Sequence, residues 1–490
     1  MKRSLRAAAL SLALCVGAAV AAPAAAIPEA PEPGPALPIA VPAIGALTLD
    51  NGLRVVLAPR PGLPLVSVQL LLLAGREADP AGKTGLAAMT TSLLTRGARR
   101  GAQDVDAATL ARQAEALGGG LDSFTGWRGS GVGMTVTTPK LAEALALVAD
   151  VVRQPLLQAA ELDHERARAL DALRVALDSP GSVASLAAAR AWWGDSVYGA
   201  SPSAATLARL SAADLRAFHA AMWRPDRVVL VLAGDIDLDR ARALAQASLG
   251  DWARPKAPPP VAGGSAASPA VPAVVWIDMP GSGQSAVLLS APAEPLGDAD
   301  ETVGDVAQAL LGGGYSSRLN QAIRIERGLS YGAFGGAESH PAAGRWSGQA
   351  QTQHATAAEV VQLMREAVAR VGRETAPAAE LAARQAALVG GFARQLQTTA
   401  GLARLITAEL VRGRDPAATL ARRVAQIRAV TPAQVRDYAA HWWKPQTLRV
   451  VVAGDWAAAG ESVKALDAPG GVLRLPQAQL DLDRATLRAP

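Results

Sequence analysis

Residues 210–235 read LSAADLRAFHAAMWRPDRVVLVLAGD, and residues 430–455 read VTPAQVRDYAAHWWKPQTLRVVVAGD. The two stretches align at an offset of 220 without a gap, so Trp223 matches Trp443 and Pro225 matches Pro445. Ala233-Gly234-Asp235 likewise matches Ala453-Gly454-Asp455. Each copy reads as a helix opened by Ser211 or Thr431 as N-cap, a Trp-basic-Pro turn, and a buried strand ended by Gly-Asp. Agreement in register over such a length implies a duplicated domain.

Working outward, the two halves share an order of elements. The first opens with a strand pair, LTLDNGLRVVLAPRP (47–61) and LVSVQLLLLAG (65–75), with Asn51-Gly52 as a tight turn. Helices are expected at 85–95 and 107–117, a strand at 130–137 and a long helical stretch at 141–177. The second half opens with VVWIDMP and QSAVLLSAP. Helices follow at 299–311 and 317–327, then a strand at 347–352 and helices over 356–428. Strands and helices in separate layers give an α+β class. The expected architecture is two homologous α/β sandwich domains, each an antiparallel-rich sheet covered by helices, arranged as a clam-like pair.

Two Pro/Ala-rich stretches bound the halves. Residues 27–44 read as an extended leader and 253–273 as an interdomain linker. The domains are thus expected at 45–252 and 274–490. Before the leader, Lys2, Arg3 and Arg6 precede an apolar run from Leu5 to Val20 and then small residues. That is the pattern of a secretory signal peptide over 1–26, with cleavage expected after Ala21 or Ala26, and it places the protein in the periplasm. The run is short for a membrane span, and no later stretch reads as one. Cys15, the single cysteine, would leave with the signal peptide. The mature chain would then hold no thiol, disulfide or cysteine metal ligand.

The chain of 490 residues is half apolar, enough for more than one sizeable core. Removing the three signal-peptide cations from 48 basic against 43 acidic residues lowers the net charge from +5 to +2. The remaining charges are scattered, which gives no support to a nucleic-acid role.

Three further segments carry a resemblance: LDNGLRVVLAPRPGLPLVSVQLLLLAG (49–75), KTGLAAMTTSLLTRGARR (83–100) and LGGGYSSRLNQAIRIERGLSYGAFGG (311–336). From about Leu47 to Asp455 the sequence resembles the insulinase-like, or pitrilysin-like, metallopeptidases, which include the mitochondrial processing peptidase and bacterial heterodimeric peptidases. In catalytic members of that family a helix carries His-x-x-Glu-His. Histidines at i and i+4 share a helix face and can grip one zinc, and the glutamate serves its water. A third ligand comes seven residues after the glutamate of a later Glu-Arg. In this frame the histidine positions are Ala88 and Ser92, the base position is Thr91, and Glu165-Arg166 leads to Ala172. The ligands and the base are missing, so the resemblance implies no metal in this chain.

Zinc elsewhere has little support. The five histidines, His164, His219, His340, His354 and His441, include no i, i+3 or i, i+4 pair. There is no Gly-x-Ser-x-Gly elbow. Gly312–Gly314 before Ser316-Ser317 lacks the lysine of a phosphate loop and reads as a turn into a capped helix. What remains is Arg324 and Tyr331, seven apart, with Gly328 as a helix cap between them. In the family such a pair binds the substrate backbone and steadies the oxyanion. Otherwise Arg324 is a solvated helix residue and Tyr331 a core strand residue.

The resemblance therefore implies a non-catalytic, substrate-binding subunit of a heterodimeric periplasmic zinc endopeptidase for unfolded peptides. Its partner would be a chain of similar length with an intact His-x-x-Glu-His and the zinc. Peptides in this family pair with a sheet edge, and which chain offers it stays open. Two alternatives stand beside this reading: a stand-alone peptide-binding or scaffold protein without proteolysis, and an enzyme with a rearranged site.

Overall fold

Asn51 and Gly52 form the expected turn between β1 (Gly45–Thr48) and β2 (Arg54–Pro59). Gly52 takes φ +90°, a conformation that glycine adopts without strain. The computed structural model describes residues 38–258, 269–466 and 470–489. The expected signal peptide with Cys15, most of the leader, and part of the linker lie outside the described residues. The chain divides into two units, Met1–Ala40 and Val41–Pro490. Of the first, residues 38–40 are described and carry no secondary structure.

The second unit continues with β3 (Leu65–Leu72), α1 (Leu86–Leu93), the hairpin β4–β5 (Gly97–Arg100 and Gln103–Asp106), β6 (Asp122–Thr125) and β7 (Ser130–Thr137). Then come α2 (Leu141–Arg153), α3 (Ala159–Asp178), α4 (Pro180–Trp193), α5 (Ala212–Met222) and β8 (Val228–Gly234). After the linker the main elements are β9 (Val274–Asp278), β10 (Ser285–Ala293), α6 (Glu301–Gly312), β11 (Ala333–Ser339) and β12 (Gly344–Thr352). They are followed by α7 (Ala357–Arg373), α8 (Thr399–Val411), α9 (Pro432–Trp442), β13 (Arg449–Gly454) and β14 (Val472–Pro476). Among the described residues, no helix is long and apolar enough to cross a membrane.

The strands form two six-stranded sheets, ordered β1-β2-β8-β3-β7-β6 and β14-β9-β13-β10-β12-β11. Written this way, β2, β8, β3, β7 and β6 correspond to β9, β13, β10, β12 and β11, while the outer strands differ, β1 running antiparallel to β2 and β14 parallel to β9. β2 and β8 run parallel, as do their counterparts β9 and β13, and each sheet is otherwise mostly antiparallel. The class is α+β with two sheet-bearing halves, and the duplication is visible in topology as well as in sequence. Ser211 and Thr431 both close capping boxes at the starts of α5 and α9. Trp223 and Trp443 are both buried at the following turn.

The halves exchange a helix. The Ala-rich face of α4, with Val183, Ala184, Ala187 and Ala191, packs on Val275, Ile277, Leu288 and Val451 of the second sheet. In return α8 lies over the first sheet. The Ser67 hydroxyl donates to Thr399 Oγ1 at 2.9 Å, and the Thr407 hydroxyl donates to Gln69 Oε1 at 3.3 Å. Small side chains let helix and sheet approach closely, and Gly129 has no room for a Cβ beside Val411.

Two expected helices differ. The stretch 141–177 breaks after Arg153, because Pro155 cannot continue the helix and turns Gln154 away from it. The expected helix 317–327 is one short helical turn, Arg318–Asn320, and then a wide π turn at Gln321–Ile325.

Candidate functional site

Asp79 anchors the start of α1. Its carboxylate accepts the backbone N–H groups of Gly85 and Ala87, each at 2.7 Å. Burial pushes Asp79 up to about 6, and these two bonds hold it from going higher. Thus fixed, α1 turns Ala88 and Ser92, one helical turn apart, toward α3. From α3 come Glu165, Ala169, Ala172 and Ala176, which repeat at helical spacing along one face. Arg166 ties α3 down by donating to the carbonyl of Leu210 at 2.7 Å. The edge strand β6 adds Ser123, Phe124 and Thr125.

These walls line an open cavity of about 560 Å³. Three of the positions picked out from sequence, Ala88, Ser92 and Ala172, line it together. Thr91 does not. It is 1% exposed, and its hydroxyl donates to the carbonyl of Ala87 at 2.9 Å.

The residues present do not fit zinc. Structural and catalytic zinc sites are built from nitrogen, sulfur or carboxylate donors converging on one point. Ala88 and Ala172 have no donor atom. The Ser92 hydroxyl donates to Glu165 Oε1 at 2.8 Å, and the other oxygen of Glu165 is paired with Arg168. Among the described residues, the one carboxylate facing Ala88 and Ser92 is that of Glu165, already paired with a guanidinium. Among the described residues, no group of three or more His, Cys, Asp or Glu side chains could hold a metal ion. Of the histidines, His219 is bonded to the carbonyl of Val152 and His354 to Ser285 and the carbonyl of Ser282. His340 is buried and stacked on Tyr198 at 3.7 Å, while His164 and His441 are exposed.

Arg324 sits in the π turn, a distortion often found where a helix serves a site. Gly328 ends the turn at φ +65°, with Leu329 N–H bonded to the carbonyl of Ile323. The buried Asn320 pins both ends of this loop. Its amide donates to the carbonyls of Gly314 and Ala333, and its oxygen accepts from the N–H of Ala333. β11 begins at Ala333, two residues after Tyr331, so Tyr331 precedes the strand and is 84% exposed.

The Arg324 guanidinium carbon lies 5.1 Å from the centre of the Tyr331 ring and 4.9 Å from that of Tyr315. Two aromatic faces thus hold one cation. Its N–H groups meet no hydrogen-bond or ion-pair partner among the described residues, and they stay available as donors. Sequence reading missed Tyr315. An aromatic residue in the glycine-rich turn was the signal, and Phe334 backs it edge-on at 5.4 Å.

Tyr331 lines a second cavity, of about 670 Å³, with Ser182, Ser185, Gln349 and Gln351. Ala176 and Leu186 belong to the walls of both cavities. The Arg324–Tyr331 pair of the second half therefore stands beside a space that adjoins the degenerate metal position of the first.

Residues 54–197 match the family described as insulinase (peptidase family M16), and residues 209–388 match the one described as peptidase M16 inactive domain. A Mycobacterium tuberculosis protein described as an uncharacterized zinc protease is 29% identical over 419 residues, covering 84% of this chain and 93% of that protein. A similarly described protein of Streptomyces coelicolor is 25% identical over 406 residues, covering 80% and 85%. Among solved structures, a peptidase M16 inactive domain from Pseudomonas fluorescens shares the fold with a TM-score of 0.76. It is 24% identical, over 84% of this chain and 98% of that one. A protease from Helicobacter pylori also reaches 0.76, at 18% identity, over 84% and 100%.

Fold and site define a peptidase-like protein whose metal-binding frame is kept and whose metal-binding atoms are replaced. The chain belongs to the insulinase-like (M16) metallopeptidase family and lacks its catalytic motif.

Proposed function

We propose that this chain is the non-catalytic, substrate-contacting subunit of a two-chain zinc endopeptidase for unfolded peptides. In this reading it lends Arg324 and Tyr331 to the active site of a partner that carries His-x-x-Glu-His. The observation that carries the proposal is the Arg324 guanidinium, held between Tyr315 and Tyr331 with no acceptor of its own among the described residues. A cation so placed is pre-oriented to donate to a peptide carbonyl or to the oxyanion that forms from it. The phenol of Tyr331 is free to add a second donor. Zinc, held by the partner, would supply the activated water. The match to an inactive M16 domain and the zinc-protease descriptions of the relatives support this division of labour. The partner is expected to be of similar length, and the signal-peptide pattern at 1–26 points to the periplasm.

Co-expression with a candidate partner from the same host tests the reading. The pair should cleave unfolded peptides and hold one zinc, in the partner. The pure chain should hold no stoichiometric zinc and cleave nothing. Chelator-sensitive cleavage by the pure chain overturns the proposal.

One observation favours a second reading. Both cavities and the aromatic residues around them lie within this chain, so peptide capture needs no partner. A stand-alone peptide-binding or scaffold protein would bind peptides and stimulate no protease.

A further inference from the structure

Beyond the repeated stretch 430–455, the last residues of the chain do two things. β14 adds to β9 as the outer strand of the second sheet. From Gln477 onward the chain leaves the sheet and closes into a hook, in which the Asp481 N–H donates to the carbonyl of Leu487 at 2.9 Å. We infer that this hook is a releasable strap that clasps α4 to the second sheet and sets the spacing of the walls of both cavities.

Four polar anchors carry the clasp. The Gln477 amide donates to the carbonyl of Leu177, at the end of α3. Arg190, near the end of α4, donates from Nε to the carbonyl of Leu482 at 2.7 Å. The Ala485 N–H donates to Asp195 Oδ1 at 3.1 Å, and the Ser203 hydroxyl to Asp483 Oδ2 at 2.8 Å. Leu480, Leu482 and Leu487 pack into the cluster that the Ala-rich face of α4 makes with the second sheet. Arg190 is 4% exposed. The acids that face it are Asp195 and, from the hook, Asp481 and Asp483. A buried guanidinium is costly without such partners, so the hook and α4 hold each other in place.

These anchors back the cavity walls. Leu177 follows Ala176, which the two cavities share. Ser203 follows Ser201 and Pro202, which line the cavity beside Ala88 and Ser92. Ser179, Gly181 and Ser182, at the corner between α3 and α4, line the other cavity. Without the hook, this corner and the loop at Ser203 lose their polar ties together.

Two features make the hook releasable. It is shallow, since of residues 477–489 only Ala485 and Leu487 are buried. Segments with few buried contacts open locally at much lower cost than the whole fold. It is also strained. Leu487 holds φ +59° while fully buried, a backbone conformation unfavourable for a bulky side chain, and release relieves it.

Thiol labelling tests the strap. Cys15 is the single cysteine, so Cys15→Ser gives a thiol-free background. In it, Ala187→Cys reports on the face of α4 against the second sheet, and Ala241→Cys on the core of the first half, both alanines being 0% exposed. Removing residues 477–490 should speed labelling at position 187 by at least about tenfold and leave position 241 unchanged, because only the clasped unit opens. The synthetic peptide QAQLDLDRATLRAP, residues 477–490, added at about millimolar concentration, should slow labelling at position 187 again. Leu487→Asp in the full-length chain should act like the truncation.

Unchanged labelling at position 187 in both variants overturns the strap. So does equal acceleration at positions 187 and 241, or unfolding of both variants, since the hook is then part of the core. Acceleration at position 187 that the peptide does not reverse overturns release as a reversible step.

Discussion

Ser92 donates a 2.8 Å hydrogen bond to Glu165 where two helices of a metallopeptidase frame face each other. By the resemblance, position 92 would be that of the second histidine ligand, and Glu165 would lead the run that ends at the third ligand position, Ala172. The bond therefore joins two helices through protein atoms alone. Ser92→Ala should cost about 1 kcal/mol or less, since Glu165 keeps Arg168. Urea unfolding of wild type and variant measures this.

Restoring the metal needs more than the histidines. Ala88→His with Ser92→His supplies two imidazoles one turn apart, while Ala172 still offers no donor. Elemental analysis should find no stoichiometric zinc in this double variant, and Thr91→Glu added to it should not change that. Further addition of Ala172→Glu should raise zinc toward one per chain. A double variant with a full zinc complement would show that the cavity walls are closer to a metal site than their chemistry indicates.

Arg324 and Tyr331 should matter for turnover and little for folding. Tyr331 is 84% exposed, so Tyr331→Phe should shift stability by no more than about 0.5 kcal/mol. In the reconstituted pair, Arg324→Ala should lower kcat by about 10²–10³, the usual effect of removing one oxyanion donor. Assembly, followed by co-purification, should be unaffected. Turnover equal to wild type would return both residues to the surface.

Glu294 should make stability depend on pH. It is 1% exposed and bonded to Tyr438. Burial pushes it up to about 7, offset in part by the Tyr438 hydroxyl. The folded state therefore holds a proton more tightly than the unfolded state does. The associated stability is fully present below the model-compound value of 4.5 and is lost as pH rises through about 7. The upper bound is about 3 kcal/mol. Glu294→Gln should flatten the decline of the unfolding midpoint between pH 5 and 8 (about the window set by these two values). His340 runs the other way. Its burial lowers it to about 4, so its contribution is present above 6.5 and lost as pH falls toward 4. Separate variants of the two groups distinguish the slopes.

The exchanged helices predict mutual dependence of the halves. Expressed alone, residues 45–258 lack α8 over their sheet, and residues 269–490 lack α4 over theirs. Each fragment should be poorly soluble alone, and the two should co-purify when co-expressed. Two monomeric, fully folded fragments would contradict the exchange.

Much of the fold was legible because its signals are local. Ser211 and Thr431 close their capping boxes, Gly52 makes its turn, and Gly328 ends the turn after Arg324. The break at Gln154-Pro155 was missed, because the surrounding apolar pattern runs through it, although the proline itself is a local signal for it. The short edge strand β6 carries little alternation and was missed. So was Tyr315, whose partner Arg324 comes nine residues later around a turn of irregular geometry.

Donor chemistry is a property of each residue, so the lack of nitrogen, sulfur or carboxylate donors at Ala88, Ser92 and Ala172 is read directly along the chain. Which faces meet is a property of the packed whole. The Ala-rich stripe of α4 fits either sheet by composition, and only the tertiary structure lays it on the second and α8 on the first. Hydrophobic burial is non-directional, and shape and distance in three dimensions decide between faces of equal polarity. The same packing brings Ala176 and Leu186 between the two cavities, and so sets the lost metal site beside the Arg324–Tyr331 pair.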